Sequence, residues 1–443
     1  MPELLALGVS HKTAPLEVRE RLSLTEGRAA GALRELTAAQ GIHEAAAIST
    51  CNRTELYLIV SDPVEAEAAA LGVLTRQAEI RPTELLGHLY SLRAGDASRH
   101  LLQVTAGLDS MILGEAEIQG QVKRAYELAM VEGATGLILN RLFRGALSAG
   151  GRARAETGIS EKGVSIPSVA VELARRTIGD LSERRVLVVG AGETAELVAK
   201  ALVARGVATV FVANRHYDRA IGLAQRFDGT AVRFDELPEQ LASADIVVSV
   251  TNSPHHIVER DGLEHVMQQR PERPLLAIDL AVPRDIEPAC REIPGVTVHD
   301  IDDVQQIVER NTSGREAEAR RAELIVEAEL DRFEHWLSLQ EVVPTISALR
   351  GVGDEVVRRV LAENEGRWEG ISEGDRERLE TMAKAIASRL LHEPTLRIRR
   401  SACSGESYYL VSALRELYGL DAESEPESEA GAGNVTQLRR SKG

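Results

Sequence analysis

Cysteine is scarce and odd in number, three in 443 residues, which argues against a disulfide framework and for a reducing compartment. Aromatic residues make up only 3%, so the cores must be built from Leu, Val, Ile and Ala. No apolar run approaches the roughly 20 residues of a membrane span. No basic segment leads into an apolar stretch behind Met1-Pro2-Glu3, so no secretory signal is read and a cytoplasmic protein is expected. His, Cys and Asp do not gather at ligand spacing, and metal-free chemistry is expected. Positive charge is in deficit, 52 Lys and Arg against 68 Asp and Glu, for a net charge of −16. That excludes a protein that coats nucleic acid, because phosphate neutralisation needs cations. The first 160 residues are nearly balanced, and an RNA partner at that end stays open.

What is present suits a soluble multidomain protein: 44% hydrophobic and 27% charged residues on a chain long enough for two or three cores. Leu4–Val9 and Leu56–Val60 read as strands, and Leu24–Gln40 as a helix starting near Thr25 with Glu26 in its first turn. From Ala97 to Ala149 nearly everything is helix-compatible, giving an α+β domain over 1–155. Apolar runs at Arg185–Val189, Val207–Ala213, Ile246–Val250 and Leu275–Ile278 alternate with helical patterns over 160–300, as a parallel sheet requires. Asp302 or Asp303 is the expected N-cap of a long, polar-centred helix over 301–340. Its apolar positions include Val304, Ile307, Val308, Leu324 and Phe333. Pro344 marks a boundary, a helical bundle fills 341–420, and 421–443 reads as a disordered tail. No internal repeat is apparent.

Two features carry chemistry. Cys51 follows the apolar Ala45–Ile48 and sits in the polar Ser49-Thr50-Cys51-Asn52-Arg53-Thr54-Glu55. A cationic neighbour such as Arg53 favours thiolate over thiol, and thiolate is the nucleophile. Gly190-Ala191-Gly192-Glu193-Thr194-Ala195 joins a strand to a helix, the context in which this spacing binds the pyrophosphate of a dinucleotide. After the second strand comes Asn214-Arg215-His216 in place of the acidic residue of an NAD site. Arg215 can pair with a 2′-phosphate, so NADPH is expected over NADH. A thiol beside a hydride donor suggests reduction through a thioester, whose carbonyl accepts hydride better than an oxygen ester does.

These motifs together resemble the glutamyl-tRNA reductases. The resemblance runs from residue 2 to about 420. It rests on Gly8-Val9-Ser10-His11-Lys12-Thr13-Ala14-Pro15, the Cys51 segment, Gly107-Leu108-Asp109-Ser110-Met111-Ile112-Leu113-Gly114-Glu115 with Gln119-Gly120-Gln121-Val122-Lys123, the Gly190 loop, and Ile278–Ile286. It implies that Cys51 attacks the ester of glutamyl-tRNA(Glu), and that NADPH reduces the thioester to glutamate-1-semialdehyde, the first step of the five-carbon route to 5-aminolevulinate and tetrapyrroles. It implies Thr50, Asn52, Arg53, Ser110, Glu115 and Gln121 as substrate residues, and His100 as a proton-transfer group. The implied architecture is a catalytic α+β domain, a Rossmann-type NADP-binding domain, a spinal helix and a C-terminal helical dimerisation domain making a V-shaped homodimer. Glu115-Ala116-Glu117-Ile118-Gln119 departs from the family's commoner Glu-Pro-Gln-Ile-Leu. Cys290 and Cys403 match no catalytic position and read as structural.

For tRNA, two basic sets are candidates: Arg141, Arg144, Arg152 and Arg154, and Arg397, Arg399 and Arg400. A glutamate-1-semialdehyde aminomutase is a further expected partner. Two other readings stand beside this one. One is a cysteine-dependent semialdehyde dehydrogenase for a free small molecule, which leaves the C-terminal helices without a task. The other is an idle homologue acting as a scaffold or regulator of tetrapyrrole synthesis, which has no need of an intact Cys51, Arg53, His100 and Gly190 loop.

Overall fold

A computed structural model describes residues 2–115, 117–160, 166–207, 209–309, 316–367, 370–402 and 407–420. Cys403 and the expected tail 421–443 lie outside the described residues, as do the side chains of Ile307 and Val308. Two compact units divide the chain, Met1–Phe333 and Glu334–Gly443.

The first unit opens with an antiparallel sheet of β1 (Glu3–Ser10), β2 (Ile42–Ser49), β3 (Arg53–Val60) and β4 (Tyr90–Arg93), in the order β2-β3-β1-β4. Thr25 caps the helix Glu26–Ala38 by accepting from the Arg28 amide. Strand β3 is buried along its whole length, with β1 and β2 on its edges and helices against its face. The central pairing places Gly8 opposite Glu55, where a Cβ would stand 2.5 Å from the Thr54 carbonyl oxygen. Only glycine lets the two backbones approach there. Tyr57 packs edge-on to Phe143 with ring centroids 6.0 Å apart, and Tyr126 stacks on the same ring.

The helix Ile166–Ile178 leads into six parallel strands: β5 (Arg185–Val189), β6 (Thr209–Ala213), β7 (Thr230–Val232), β8 (Ile246–Ser249), β9 (Leu275–Asp279) and β10 (Val296–His299). Their order is β10-β9-β8-β5-β6-β7, the doubly wound arrangement whose switch point lies between β5 and β8. Alternation sets the layers. Val186, Val188, Ile246 and Val248 face one apolar cluster, while Leu187, Val189 and Val247 face the other. Strands β7 and β10 are three and four residues long, too short for an alternation pattern to reveal.

The expected spinal helix differs in three respects. Its first piece, Ile301–Glu309, is capped by Asp300, not by Asp302 or Asp303: the amides of Asp302 and Asp303 donate to Asp300 Oδ1 at 3.1 Å, and Asp303 Oδ2 accepts from the Asp300 amide at 3.0 Å. Its second piece runs from Glu316 to Glu363 without a break at Pro344, and the residues between the pieces lie outside the described set. Leu324, expected on an apolar face, is exposed. Proline costs a helix interior about 3 kcal/mol. The helix continues because Val342 and Ile346, on either side of Pro344, are buried in a cluster with Ile398 and Ala402. Beyond it lie the helices Glu373–Ser401 and Ser407–Leu417. No helix among the described residues is long and apolar enough to cross a membrane.

Candidate active site

Cys51 stands at the tip of the β2–β3 hairpin. Strand β2 ends at Ser49 and β3 starts at Arg53, so Thr50-Cys51-Asn52 is the whole turn. The Thr50 amide donates to the Arg53 carbonyl at 2.8 Å, and the Asn52 amide to Thr50 Oγ1 at 3.1 Å. Asn52 is buried, and its carbonyl accepts from the His11 amide at 2.8 Å. The abrupt change from apolar to polar in the sequence is therefore a strand end.

The thiol opens into a cavity of about 130 Å³ between the two sheets. Cys51, Glu115, Glu117 and Gln121 form one wall; Thr194, Val250, Thr251, Asn252, Leu280 and Ile301 contribute to the other. Burial raises the Cys51 pKa to about 12, helped by the carboxylates of Glu115 and Glu117 and opposed by Arg19. Burial, followed by Glu117, raises Glu115 to about 7 even though Ser110 and Arg53 favour its ionised form. The expectation that Arg53 lowers the thiol pKa is not met, because its guanidinium is committed elsewhere.

Arg53 is 1% exposed. Its Nη1 donates to Glu55 Oε1 at 2.6 Å and to Asp109 Oδ2 at 3.0 Å, while Nη2 donates to Asp109 Oδ2 at 3.0 Å and to the Asp109 carbonyl. Glu55, fully buried, also accepts from Tyr57 at 2.7 Å and Tyr90 at 2.5 Å. Burial opposes ionisation of Glu55, but Arg53 and His100 outweigh it and hold the carboxyl well below the usual range. His100 Nε2 lies 3.0 Å from this carboxylate. A carboxylate only accepts, so Nε2 carries the proton. His100 thus faces Glu55 and Tyr90 (ring centroids 5.4 Å apart) and does not belong to the cavity wall around Cys51. His11 Nδ1, Asn52 Oδ1 and Arg53 Nε are buried without partners. Burial and Arg53 also lower the His11 pKa to about 4. Unsatisfied buried polar atoms cost about 1–3 kcal/mol each, and three of them lie in one neighbourhood behind the Cys51 turn.

The nucleotide side has the shape its motif requires. Gly190 adopts φ +127°, and a Cβ there would stand 2.8 Å from the Val250 carbonyl oxygen. Gly192 precedes the helix Glu193–Val203 and supplies no side-chain cap, and space is open where its Cβ would be. The first amides of that helix can therefore take a phosphate. Ala195 is fully buried beneath the turn. Asn214 Oδ1 accepts from the His216 amide at 2.8 Å, and Arg215 is exposed beyond β6. These residues fit a dinucleotide, with Arg215 near the ribose end.

Glu55, Tyr57, Tyr90 and Glu117 are not among the expected site residues, although Glu55 and Glu117 stand inside the motif segments, and neither is the Thr251-Asn252 loop. One signal for the first two exists. Arg53, Glu55 and Tyr57 alternate along a strand and must share a face. The basic sets resolve differently. Arg152 pairs with Glu156 at 2.8 Å, half-buried Arg154 donates to Gln119 and to the Thr105 carbonyl, and Arg397 pairs with Glu393 at 3.3 Å. Arg141, Arg144, Arg152 and Arg154 are thus not one free cationic face.

A family model described as "Glutamyl-tRNAGlu reductase, N-terminal domain" matches residues 7–157, and one described as "Glutamyl-tRNAGlu reductase, dimerisation domain" matches residues 321–420. The glutamyl-tRNA reductase of Pelotomaculum thermopropionicum is 43% identical over 418 residues, covering 94% of each chain. The chain belongs to the glutamyl-tRNA reductase family. The Desulforudis audaxviator member is 42% identical over 95% of this chain and 94% of its own. Among solved structures, the glutamyl-tRNA reductase from Methanopyrus kandleri is similar at a TM-score of 0.53 and 36% identity, over 95% of this chain and 100% of that one. Between the family's two domains, residues 172–307 match a model described as "Shikimate / quinate 5-dehydrogenase". With the sheet order, this makes the second domain a dehydrogenase-type domain for a nicotinamide cofactor.

Proposed function

We propose that the chain reduces glutamyl-tRNA(Glu) to glutamate-1-semialdehyde with NADPH, through a thioester on Cys51. One observation carries the reading: the hairpin thiol and the switch point of the nucleotide sheet share a single cavity. The Cys51 sulfur forms a bond to the ester carbonyl carbon, the bond to the tRNA 3′ oxygen breaks, and the tRNA leaves as an alcohol after taking a proton. Gly190–Ala195 and Arg215 would hold a reduced, 2′-phosphorylated nicotinamide dinucleotide, which would supply the hydride that takes the thioester to aldehyde and returns the sulfur to Cys51. The resting thiol is protonated, because burial and two carboxylates hold its pKa near 12. An aminoacyl ester brings an ammonium group, and placing it against Glu115 and Glu117 offsets the charge that opposes the thiolate. Substrate and nucleophile are thereby activated together. Arg53, buried with its fork held by Asp109 and Glu55 and not part of the cavity wall, braces the Cys51 hairpin from behind. Gln121 completes the polar lining of the cavity, Ser110 stands behind that wall beside Glu115, and Thr50 shapes the turn.

The C-terminal helices join two copies into a homodimer in this reading, and the semialdehyde passes to an aminomutase. Glutamate-labelled tRNA tests the core of it. Wild type should trap label on Cys51 without NADPH and release it as aldehyde when NADPH is added, whereas Cys51→Ala traps none. Aldehyde formation by Cys51→Ala would defeat the covalent route. Arg215→Asp should erode the preference for NADPH over NADH, and equal use of both cofactors by wild type would refute that preference.

A further inference from the structure

A buried cation next to Cys51 has no task in the scheme above. Arg19, 3% exposed, lies in the helix Leu16–Leu22 and engages acceptors in three directions. Its Nε donates to the Ala14 carbonyl at 3.2 Å, Nη1 to the Cys51 carbonyl at 2.8 Å, and Nη2 to the Asp302 carboxylate. Asp302 belongs to the helix Ile301–Glu309, whose Ile301 lines the Cys51 cavity. The next residue makes the complementary link. Glu20 accepts from the Arg284 amide at 2.7 Å, from its Nε at 2.8 Å and from its Nη2 at 2.9 Å. Arg284 follows β9, two residues after Val282 of the same cavity. Leu16, at the start of the short helix, is buried in the apolar cluster that contains Val186 and Ile278 of the nucleotide sheet.

We propose that Arg19 and Glu20 are positioning residues for the reducing step, tying the Cys51 hairpin to the nucleotide-binding sheet through Asp302 and Arg284. This rests on the thioester reading. A planar guanidinium that bridges two acceptors fixes the distance between them. Here the acceptors are the backbone of the nucleophile and the helix that leaves the sheet. A thioester carbonyl must meet a hydride donor at about 3–3.5 Å, and a misplacement of 1 Å can cost roughly a hundredfold. A three-residue turn alone gives no such control over a second domain.

Asp302 offers the cleanest test, because it touches neither thiol nor substrate in this scheme. With labelled glutamyl-tRNA, Asp302→Asn should load Cys51 within about twofold of wild type but release aldehyde on NADPH addition about tenfold more slowly. Asp302→Glu should restore release. A second readout needs neither substrate nor cofactor: iodoacetamide alkylation of Cys51, followed by peptide mass. Asp302→Asn should react about threefold faster than wild type, the scale of losing one half-exposed ion pair, with Asp302→Glu unchanged. Asp302→Asn also leaves Arg19 unneutralised beside the thiol, so alkylation is followed across pH: a faster rate on an unshifted pH profile reports access, and a rate difference that vanishes once the thiol is fully ionised overturns the tether. Equal alkylation in all three proteins, or release slowed no more than loading, overturns the inference. A wild type that takes no label overturns the functional reading instead, and the alkylation comparison then decides the tether alone.

Discussion

Glu55 is the residue on which the buried network turns. It neutralises Arg53 and receives two tyrosines and His100. Removing its charge leaves Arg53 to Asp109 alone and takes the acceptor from two buried tyrosines and His100, a loss of about 1–3 kcal/mol for each buried group left without its partner. Glu55→Gln should therefore lower the urea midpoint sharply, and an unchanged midpoint would contradict the role assigned to it. Glu115 gives a prediction of opposite sense. Its folded pKa of about 7 lies above the unfolded value of 4.5. Between those values the native state holds more protons than the unfolded one, so this group lowers stability as pH rises through the window. Glu115→Gln should be stabilising at pH 8 by up to about 3 kcal/mol and nearly neutral at pH 4; urea titrations at both pH values check it. The chemistry of these side chains was unevenly visible in the sequence. Cys51, Glu115, Gln121 and Thr194 stand in short motifs, and one cavity collects them. Tyr90 carries no local signature, because only the packing of distant elements brings it to Glu55, whereas Glu117 stands two residues from Glu115 in the stretch that departs from the family's commoner run.

Elements were easier to read than their ends. Strands β1, β3, β5, β8 and β9 show as apolar runs, and the helix Glu26–Ala38 announces itself by Thr25. The end of the spinal helix does not, because local propensity and tertiary burial disagree at Pro344. That disagreement is measurable. Pro344 is exposed inside a continuous helix, so Pro344→Ala should stabilise the second unit by about 1–3 kcal/mol in chemical denaturation. Destabilisation would mean that the proline shapes a kink the packing needs. The N-cap is hidden for a related reason: Asp300, Asp302 and Asp303 are equivalent to a propensity argument, and only the reciprocal bonds of Asp300 and Asp303 separate them.

The second unit exposes more apolar surface than its four-residue buried cluster can account for. Met382, Ile386 and Leu390 follow one another at four-residue spacing along the helix Glu373–Ser401 and are 55%, 54% and 71% exposed. Such a stripe, within the residues that a dimerisation-domain model matches, suits a second copy better than water, against the repulsion of a net charge of −16. Leu390→Asp should shift the protein toward monomer in light scattering, and a dimer that survives both this change and Ile386→Asp would place the interface elsewhere. In the first unit, long-range connection has a consequence for synthesis. Arg19 meets a partner 283 residues downstream, and Glu20 one 264 residues downstream. At about 5–20 residues per second, a ribosome needs on the order of 15–60 s to go from one side of these links to the other. For that interval the nascent chain carries a finished hairpin whose thiol has no cavity around it, so the cell's reductants and oxidants meet Cys51 before its substrate can.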